Sequence, residues 1–219
     1  VAIEIRNELD RESSQFERIA RRWGDGPPNA TSAWELDANT QMTERSEQLG
    51  CRSIHFVDLN LQTAWVFPRL NNEGAVGFDH SVSDDRRAAL QKAAASGAPV
   101  VSATTMVPVP GAGVEKGAVI YTPVIRAGTL AGYLAAEYGY RRFFETITTA
   151  RVRVNEDYHV AIEIGGETVF SSIANDPTRI DELKSEKTYP IADRRVRLSL
   201  TPSAAALAQS RHYLPQLAL

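Results

Sequence analysis

The sequence has little of what a disulfide, a metal centre or a catalytic motif requires. It has one cysteine, Cys51, so no intrachain disulfide can form, and its four histidines show no metal-ligand spacing. The Gly-x-Ser-x-Gly elbow of hydrolases and the His-Glu-x-x-His motif of zinc proteases are also missing. We therefore expect no metal, no cofactor and no catalytic residue.

The composition also lacks a basic excess and a long apolar run. Lys and Arg number 24 against 27 Asp and Glu, which gives a net charge of −3 and excludes nucleic acid as the main partner. No apolar run approaches the ~20 residues that cross a bilayer. Because the sequence begins without methionine and already in a helical pattern, we expect flanking transmembrane helices in a longer protein.

Two helices are predicted before residue 50. Apolar side chains recur at steps of three and four residues, with Glu12 as the one interruption. The stripe comprises Ala2, Ile5, Leu9, Phe16, Ile19 and Trp23. Such a stripe packs against its own domain or, in addition, against a twin helix in a homodimer. A second helix is expected from about residue 32 to 49, with Ser32 as its cap and Glu35 as the partner of that cap.

The middle of the sequence predicts one helix and an antiparallel sheet of about five strands. The helical pattern begins after Ser83 and ends at Gly97. Strand patterns cover residues 52–58, 64–68, 99–102, 118–124 and 130–137. The last two strands are joined by a turn at Ala127 and Gly128. The glycine-rich stretch at residues 111–117, between the third and fourth strands, predicts a mobile loop.

A second, smaller succession of helices and strands is predicted in the last third of the chain. A helix is predicted from residue 140 to 154 and another from 203 to 211. Strand patterns cover residues 159–164, 168–171 and 195–201, and the residues between the last two read as a polar connection. The predicted fold class is therefore α+β, with a long N-terminal helix and two lobes that each contain an antiparallel sheet.

Several motifs between residues 65 and 140 resemble those of one protein family. They are Trp65–Pro68, Asp84–Ala93, Gly97–Ser102, Gly117–Val124 and Gly132–Leu134. On these residues the sequence resembles the CHASE family, the extracellular sensory domains of receptor histidine kinases, diguanylate cyclases and related receptors. The resemblance implies two tandem PAS-like lobes. The expected domains are a helical segment at 1–50, a membrane-distal ligand-binding lobe at 51–150 and a membrane-proximal lobe at 151–219.

The resemblance to cytokinin-receptor members implies three ligand contacts. Asp85 occupies the place of an acidic residue before an arginine at a helix start, Ser102 that of a hydroxyl residue ending a strand, and Thr122 that of a pocket threonine. The proline- and glycine-rich segment after Ser102 departs from those members, so cytokinin recognition is not implied. From the residues alone, Asp85 is equally a first-turn acid favoured by the helix dipole.

Three aromatic side chains complete the predicted ligand site. Trp65, Phe67 and Tyr121 lie on predicted strands and are able to stack on a planar ligand, although strand aromatics also serve as plain core. The expected function is small-molecule sensing in the periplasmic or extracellular part of a membrane receptor, with no catalysis in this domain. Three alternatives stay open: a Cache-type sensor of amino acids or carboxylates, a hydrolase or lyase with Asp85 as base, and a structural dimerisation spacer.

Overall fold

The helix α1 (Ala2–Asp25) follows the predicted apolar stripe. The buried members of the stripe are Ala2, Ile5, Phe16, Ile19 and Trp23. Glu12 is buried as well, and its carboxylate accepts a hydrogen bond from the hydroxyl of Tyr138. The acidic interruption is therefore held inside by a polar partner, as buried polar groups usually are.

The computed structural model describes residues 1–26, 31–109, 113–152, 154, 157–172, 181–191, 194–204 and 206. The chain divides into two units, which are Glu8–Phe143 and the combination of Val1–Asn7 with Phe144–Leu219. No helix in the described ranges is both long and apolar enough to cross a membrane.

The second helix, α2 (Thr31–Gln41), is shorter than the sequence pattern predicts. A π-helical turn, Met42–Ser46, takes over after Gln41, and the carbonyl of Met42 accepts the amide of Glu47 five residues later. Ser32 lies inside α2 rather than at its cap, so the predicted capping pair is wrong.

The unit Glu8–Phe143 is built on a six-stranded antiparallel sheet, here called the first sheet. Its strands are β1 (Cys51–Val57), β2 (Thr63–Phe67), β3 (Val100–Val101), β4 (Thr105–Val109), β5 (Gly113–Arg126) and β6 (Thr129–Gly139). The order is β2-β1-β6-β5-β3, and β4 pairs with the start of β5. The five predicted strands are confirmed. The mobile loop predicted at residues 111–117 is wrong from Gly113 onward, where β5 pairs with β4 in a two-stranded ribbon. The sequence pattern does not predict β4.

One face of the first sheet is covered by α3 (Asp84–Ser96), whose predicted ends are confirmed. The hydroxyl of Ser83 accepts the amide of Arg86, and Gly97 ends the helix at a φ of 67°, where glycine is favoured. The helix buries Ala89, Leu90 and Ala93 against Val119, Tyr121, Tyr133 and Ala135 of the sheet. These contacts form the core between α3 and the sheet.

The second unit contains a four-stranded antiparallel sheet. After α4 (Tyr140–Glu145) and a π-helical turn, the strands are β7 (Tyr158–Ile164), β8 (Glu167–Ser171), β9 (Ser185–Ile191) and β10 (Arg194–Pro202). Their order is β8-β7-β10-β9. The sequence pattern does not predict β9, because most of its side chains are exposed and polar. Most of the helix predicted at 203–211 lies outside the described residues. The predicted α+β class with a long N-terminal helix and two antiparallel sheets is confirmed.

Candidate functional site

The register of the first sheet separates its side chains into two faces. Ala135 of β6 aligns with His55 of β1 and with Tyr121 of β5, so these three residues point to the face that α3 covers. Glu137, two residues further along β6, shares that face. Tyr138 points to the opposite face, where it contacts α1.

A cavity of about 360 Å³ lies on the α3 face. The residues that line it are His55, Asn71, Asn72, Gly74, Ala75, Phe78, Arg86, Met106, Pro108, Val114 and Glu137. This volume falls in the range of roughly 300–1,000 Å³ that is usual for small-molecule pockets.

An ion pair between Arg86 and Glu137 forms the floor of the cavity. Nη1 of Arg86 donates to Oε1 of Glu137 at 2.8 Å, and Nη2 donates to the carbonyl of Met106 at 3.2 Å. Each side chain of the pair is only 4% exposed. The face of Phe78 lies 5.3 Å from the guanidinium carbon, which adds a cation–π contact. Two opposite charges are thus removed from water together and compensated by each other.

Hydrogen bonds continue from the ion pair through a line of buried polar side chains. Oγ of Ser53 lies 3.4 Å from Oε2 of Glu137 and 2.7 Å from Nε2 of His55. Nδ1 of His55 lies 3.5 Å from Oγ1 of Thr63, which in turn lies 2.9 Å from Nε2 of His80.

The line ends at Tyr121. Nδ1 of His80 lies 2.7 Å from the hydroxyl of Tyr121, and Nη1 of Arg86 lies 3.4 Å from the same nitrogen. If the hydroxyl of Tyr121 donates to Nδ1 of His80, each side chain of the line donates one hydrogen bond to the next. The last of these hydrogen bonds runs from Ser53 to the carboxylate of Glu137. The polar groups below the cavity are therefore satisfied by one another.

Burial sets the protonation of these groups. Burial and the charge of Arg86 lower the pKa of His80 to about 3, so its ring is neutral at pH 7. Burial raises the pKa of Tyr121, which keeps the hydroxyl available as a donor. Burial also acts to raise the pKa of Glu137, but the imidazole of His55 and the guanidinium of Arg86 beside the carboxylate outweigh burial and lower that pKa. Glu137 is ionised.

The six predicted site residues are not brought together. Tyr121 lies beneath the cavity, fully buried, and reaches it only through His80 and Arg86. The hydroxyl of Ser102 is used by backbone, since it donates to the carbonyl of Ala103 and accepts the amide of Val119. Asp85 is exposed in the first turn of α3 and does not line the cavity.

The remaining three residues lie on the opposite face of the sheet. Trp65 and Phe67 stack on each other with ring centroids 6.3 Å apart, and Trp65 packs edge-on against Trp23 of α1 at 5.5 Å. Thr122 aligns with Leu134 on that same face, and its hydroxyl is buried with no hydrogen-bond partner in the described part of the chain. The two aromatic side chains are half-buried, and Trp65 packs against Trp23 of α1 and Trp34 of α2.

Sequence reasoning missed Arg86 and Glu137, the central residues of the floor. A signal for Arg86 exists: it stands three, four and seven residues before Ala89, Leu90 and Ala93, so it shares the buried side of α3. A charged residue on the buried side of a helix requires a partner. The alternation of β6 places Glu137 on the facing surface, but the pairing of the two residues depends on the tertiary structure.

Comparison with known proteins gives a family and a fold. The sequence profile of the CHASE domain matches residues 27–168 of this chain. No protein of curated function matches the sequence significantly.

Several solved structures share the fold at low sequence identity. An extracellular ligand-binding receptor from Desulfohalobium retbaense is similar with a TM-score of 0.65 and 17% identity, over 91% of this chain and 38% of the receptor chain. The ligand-binding domain of the Pseudomonas aeruginosa chemoreceptor PctC, in complex with GABA, has a TM-score of 0.58 and 12% identity, over 91% and 94% of the two chains. That of the Pseudomonas fluorescens chemoreceptor CtaA, in complex with L-serine, has a TM-score of 0.59 and 14% identity, over 92% of each chain.

Proposed function

Because this chain belongs to the CHASE domain family, a family of non-catalytic extracellular sensory domains, we propose that it senses a small molecule outside the cytoplasm for a transmembrane receptor. The observation that carries the proposal is the cavity, which has a buried ion pair at its floor and exposed apolar walls. Concave sites with apolar walls and a few convergent polar groups are typical of ligand binding. The domain organisation that goes with it is a helical segment at 1–50, a ligand-binding lobe at 51–150 and a smaller lobe at 151–219.

Ligand contacts in this proposal centre on the cavity floor rather than on the helix start. Arg86 and Glu137 present the polar end of the site, and Phe78, Met106 and Val114 present its apolar wall. Tyr121 acts indirectly, because its hydroxyl fixes the ring of His80 beside Arg86. The exposed position of Asp85 makes it a control for the ligand contacts.

Transmission of the signal requires a second conformation with a different affinity for the ligand, since a ligand shifts an equilibrium only by its differential affinity. The full-length receptor is proposed to carry flanking transmembrane helices and a kinase or cyclase output domain. A homodimer through α1 would use the exposed side of that helix, because Phe16, Ile19 and Trp23 of the apolar stripe are already buried in this chain.

A thermal-shift screen of the purified chain against purines, amino acids, organic acids and lipids tests the proposal. A ligand present at 100 times its dissociation constant stabilises the folded chain by about 2.7 kcal/mol and raises the melting temperature. The variant Ala75→Phe places a bulky ring at the cavity wall and should abolish the shift. Asp85→Ala should leave it unchanged.

Two results would contradict the proposal in different ways. A screen without any stabilising compound favours a structural spacer, because a spacer is indifferent to metabolites. A shift that survives Ala75→Phe and disappears in Asp85→Ala would place the ligand at the helix start instead of the cavity.

A Cache-type sensor of amino acids is the second candidate. The solved structures of PctC and CtaA hold GABA and L-serine, and the guanidinium of Arg86 is a group able to bind a carboxylate. Saturable binding of free amino acids to this chain, lost in Ala75→Phe, would support it.

A further inference from the structure

We infer that the ligand of the cavity is an uncharged molecule with an apolar body and a polar end that both donates and accepts hydrogen bonds. The inference rests on the proposed function and specifies the class of ligand. It excludes singly charged carboxylates and amines.

The charges on the cavity floor are balanced within the chain. Arg86 and Glu137 are the oppositely charged residues among those that line the cavity, and they are paired at 2.8 Å. A carboxylate that approaches Arg86 is repelled by the neighbouring carboxylate of Glu137. An ammonium that approaches Glu137 is repelled by the guanidinium of Arg86. Either ion would leave water for a site whose charges are already matched, and such uncompensated burial of an ion is costly.

The wall of the cavity is built from exposed apolar side chains. Phe78, Met106 and Val114 line the cavity and are 41%, 50% and 60% exposed, so a ligand between them buries apolar surface on both partners. Exposed apolar side chains grouped around a concavity indicate an apolar partner.

The lining of the cavity also supplies neutral polar groups. Asn72 is buried, and its side-chain amide donates to the carbonyl of Pro68 at 3.0 Å, which fixes its orientation beside the cavity. Its oxygen keeps acceptor capacity, and the neighbouring Asn71 adds a second carboxamide to the lining. Carboxamides bind neutral donor–acceptor groups, such as an amide or a lactam, without requiring a charge on the ligand.

Two matched sets of fragments test the class of ligand. The first set is benzamide, benzoate and benzylamine, and the second is the corresponding amide, carboxylate and amine of cyclohexane. Affinities are measured by saturation-transfer NMR titration at pH 7 with the whole chain. We expect both amides to bind on the order of tenfold more tightly than their charged partners. Met106→Asp should abolish that binding, whereas Val82→Asp, an exposed position outside the cavity lining, should retain it.

A charge exchange at the floor gives a second test. Glu137→Gln removes the anion that compensates Arg86, so benzoate should gain on the order of tenfold in affinity relative to benzamide. Glu73→Gln changes the net charge equally at an exposed position and should have no such effect.

The outcomes separate this inference from the proposed function. Binding of benzoate or benzylamine to the unaltered chain as tightly as benzamide, with loss in Met106→Asp, overturns the uncharged class and leaves a sensor. Absence of binding by both amides also overturns it. The sensing function fails separately, when the broad screen yields no stabilising compound at all.

Discussion

Replacement of Arg86 by methionine removes the cation that compensates Glu137 but keeps a side chain of similar length. The carboxylate then stays in a site where it is 4% exposed and has lost its 2.8 Å ion pair. Loss of one partner of a buried ion pair costs about 3–5 kcal/mol, because the remaining charge is buried without compensation. We expect a penalty of that size in the free energy of unfolding.

Urea unfolding followed by tryptophan fluorescence measures this penalty. All three tryptophans, Trp23, Trp34 and Trp65, lie in the unit Glu8–Phe143 and contact one another beneath α1 and α2. Their emission therefore reports on the unit that contains the ion pair.

Arg87→Met is the matched control, one residue along the same helix. Arg87 is exposed and pairs with the exposed Asp84, and such surface pairs contribute about 0–1 kcal/mol. The reasoning is refuted if Arg86→Met costs no more than Arg87→Met. The double variant Arg86→Met/Glu137→Met should cost less than the two single penalties together, by about 1–3 kcal/mol.

The same variant predicts a change in pH dependence. In the unaltered chain the pKa of Glu137 is lowered, so its contribution is present above the unfolded pKa of about 4.3 and is lost as pH falls. In Arg86→Met the guanidinium no longer lowers the pKa of Glu137, so burial of the carboxyl group raises that pKa. A raised pKa favours the folded state at low pH, so the penalty of Arg86→Met should shrink as pH falls toward about 4.

Three further predictions concern the same unit. Tyr121→Phe leaves Nδ1 of His80 without the hydroxyl that lies 2.7 Å away, and urea unfolding should show a loss of about 1–3 kcal/mol; no loss would exclude that hydrogen bond. Gly117→Ala places a Cβ 2.1 Å from a carbonyl oxygen of β6 and should destabilise the chain by about 1–3 kcal/mol, whereas Gly74→Ala meets no atom within 4 Å and should be tolerated; equal melting temperatures would contradict this. Burial raises the pKa of Cys51, so a disulfide reagent should label its thiol only after unfolding, and rapid labelling of the folded chain would be inconsistent with the structure.

The parts of the fold that the sequence predicts correctly are those with local signals. Ser83 and Gly97 mark both ends of α3 through hydrogen bonds and a positive φ that involve only neighbouring residues. The hairpin of β5 and β6 turns at Ala127 and Gly128, which both have positive φ, as a tight two-residue turn requires. Each of these features is determined within a few residues of the chain.

Features that depend on distant pairing were not predictable in the same way. β4 contains Pro108, and a proline weakens a strand pattern in the sequence. The strand is formed because β4 pairs with the start of β5. The face on which Trp65 and Phe67 lie is set by the register with β1, and a shift by one residue would reverse it. The ion pair of the site likewise joins residues 51 positions apart in the chain.

The two-stranded ribbon of β4 and β5 shapes the cavity but contributes little to the core between α3 and the first sheet. Among the described strands, β4 pairs only with β5, yet it contributes Met106 and Pro108 to the lining, and the ribbon portion of β5 contributes Val114. Substitutions at these exposed positions remodel the wall without disturbing the core packed beneath α3. The ligand preference of the cavity is thus able to change through substitutions in the ribbon, while the rest of the first sheet and the ion pair of Arg86 and Glu137 stay the same.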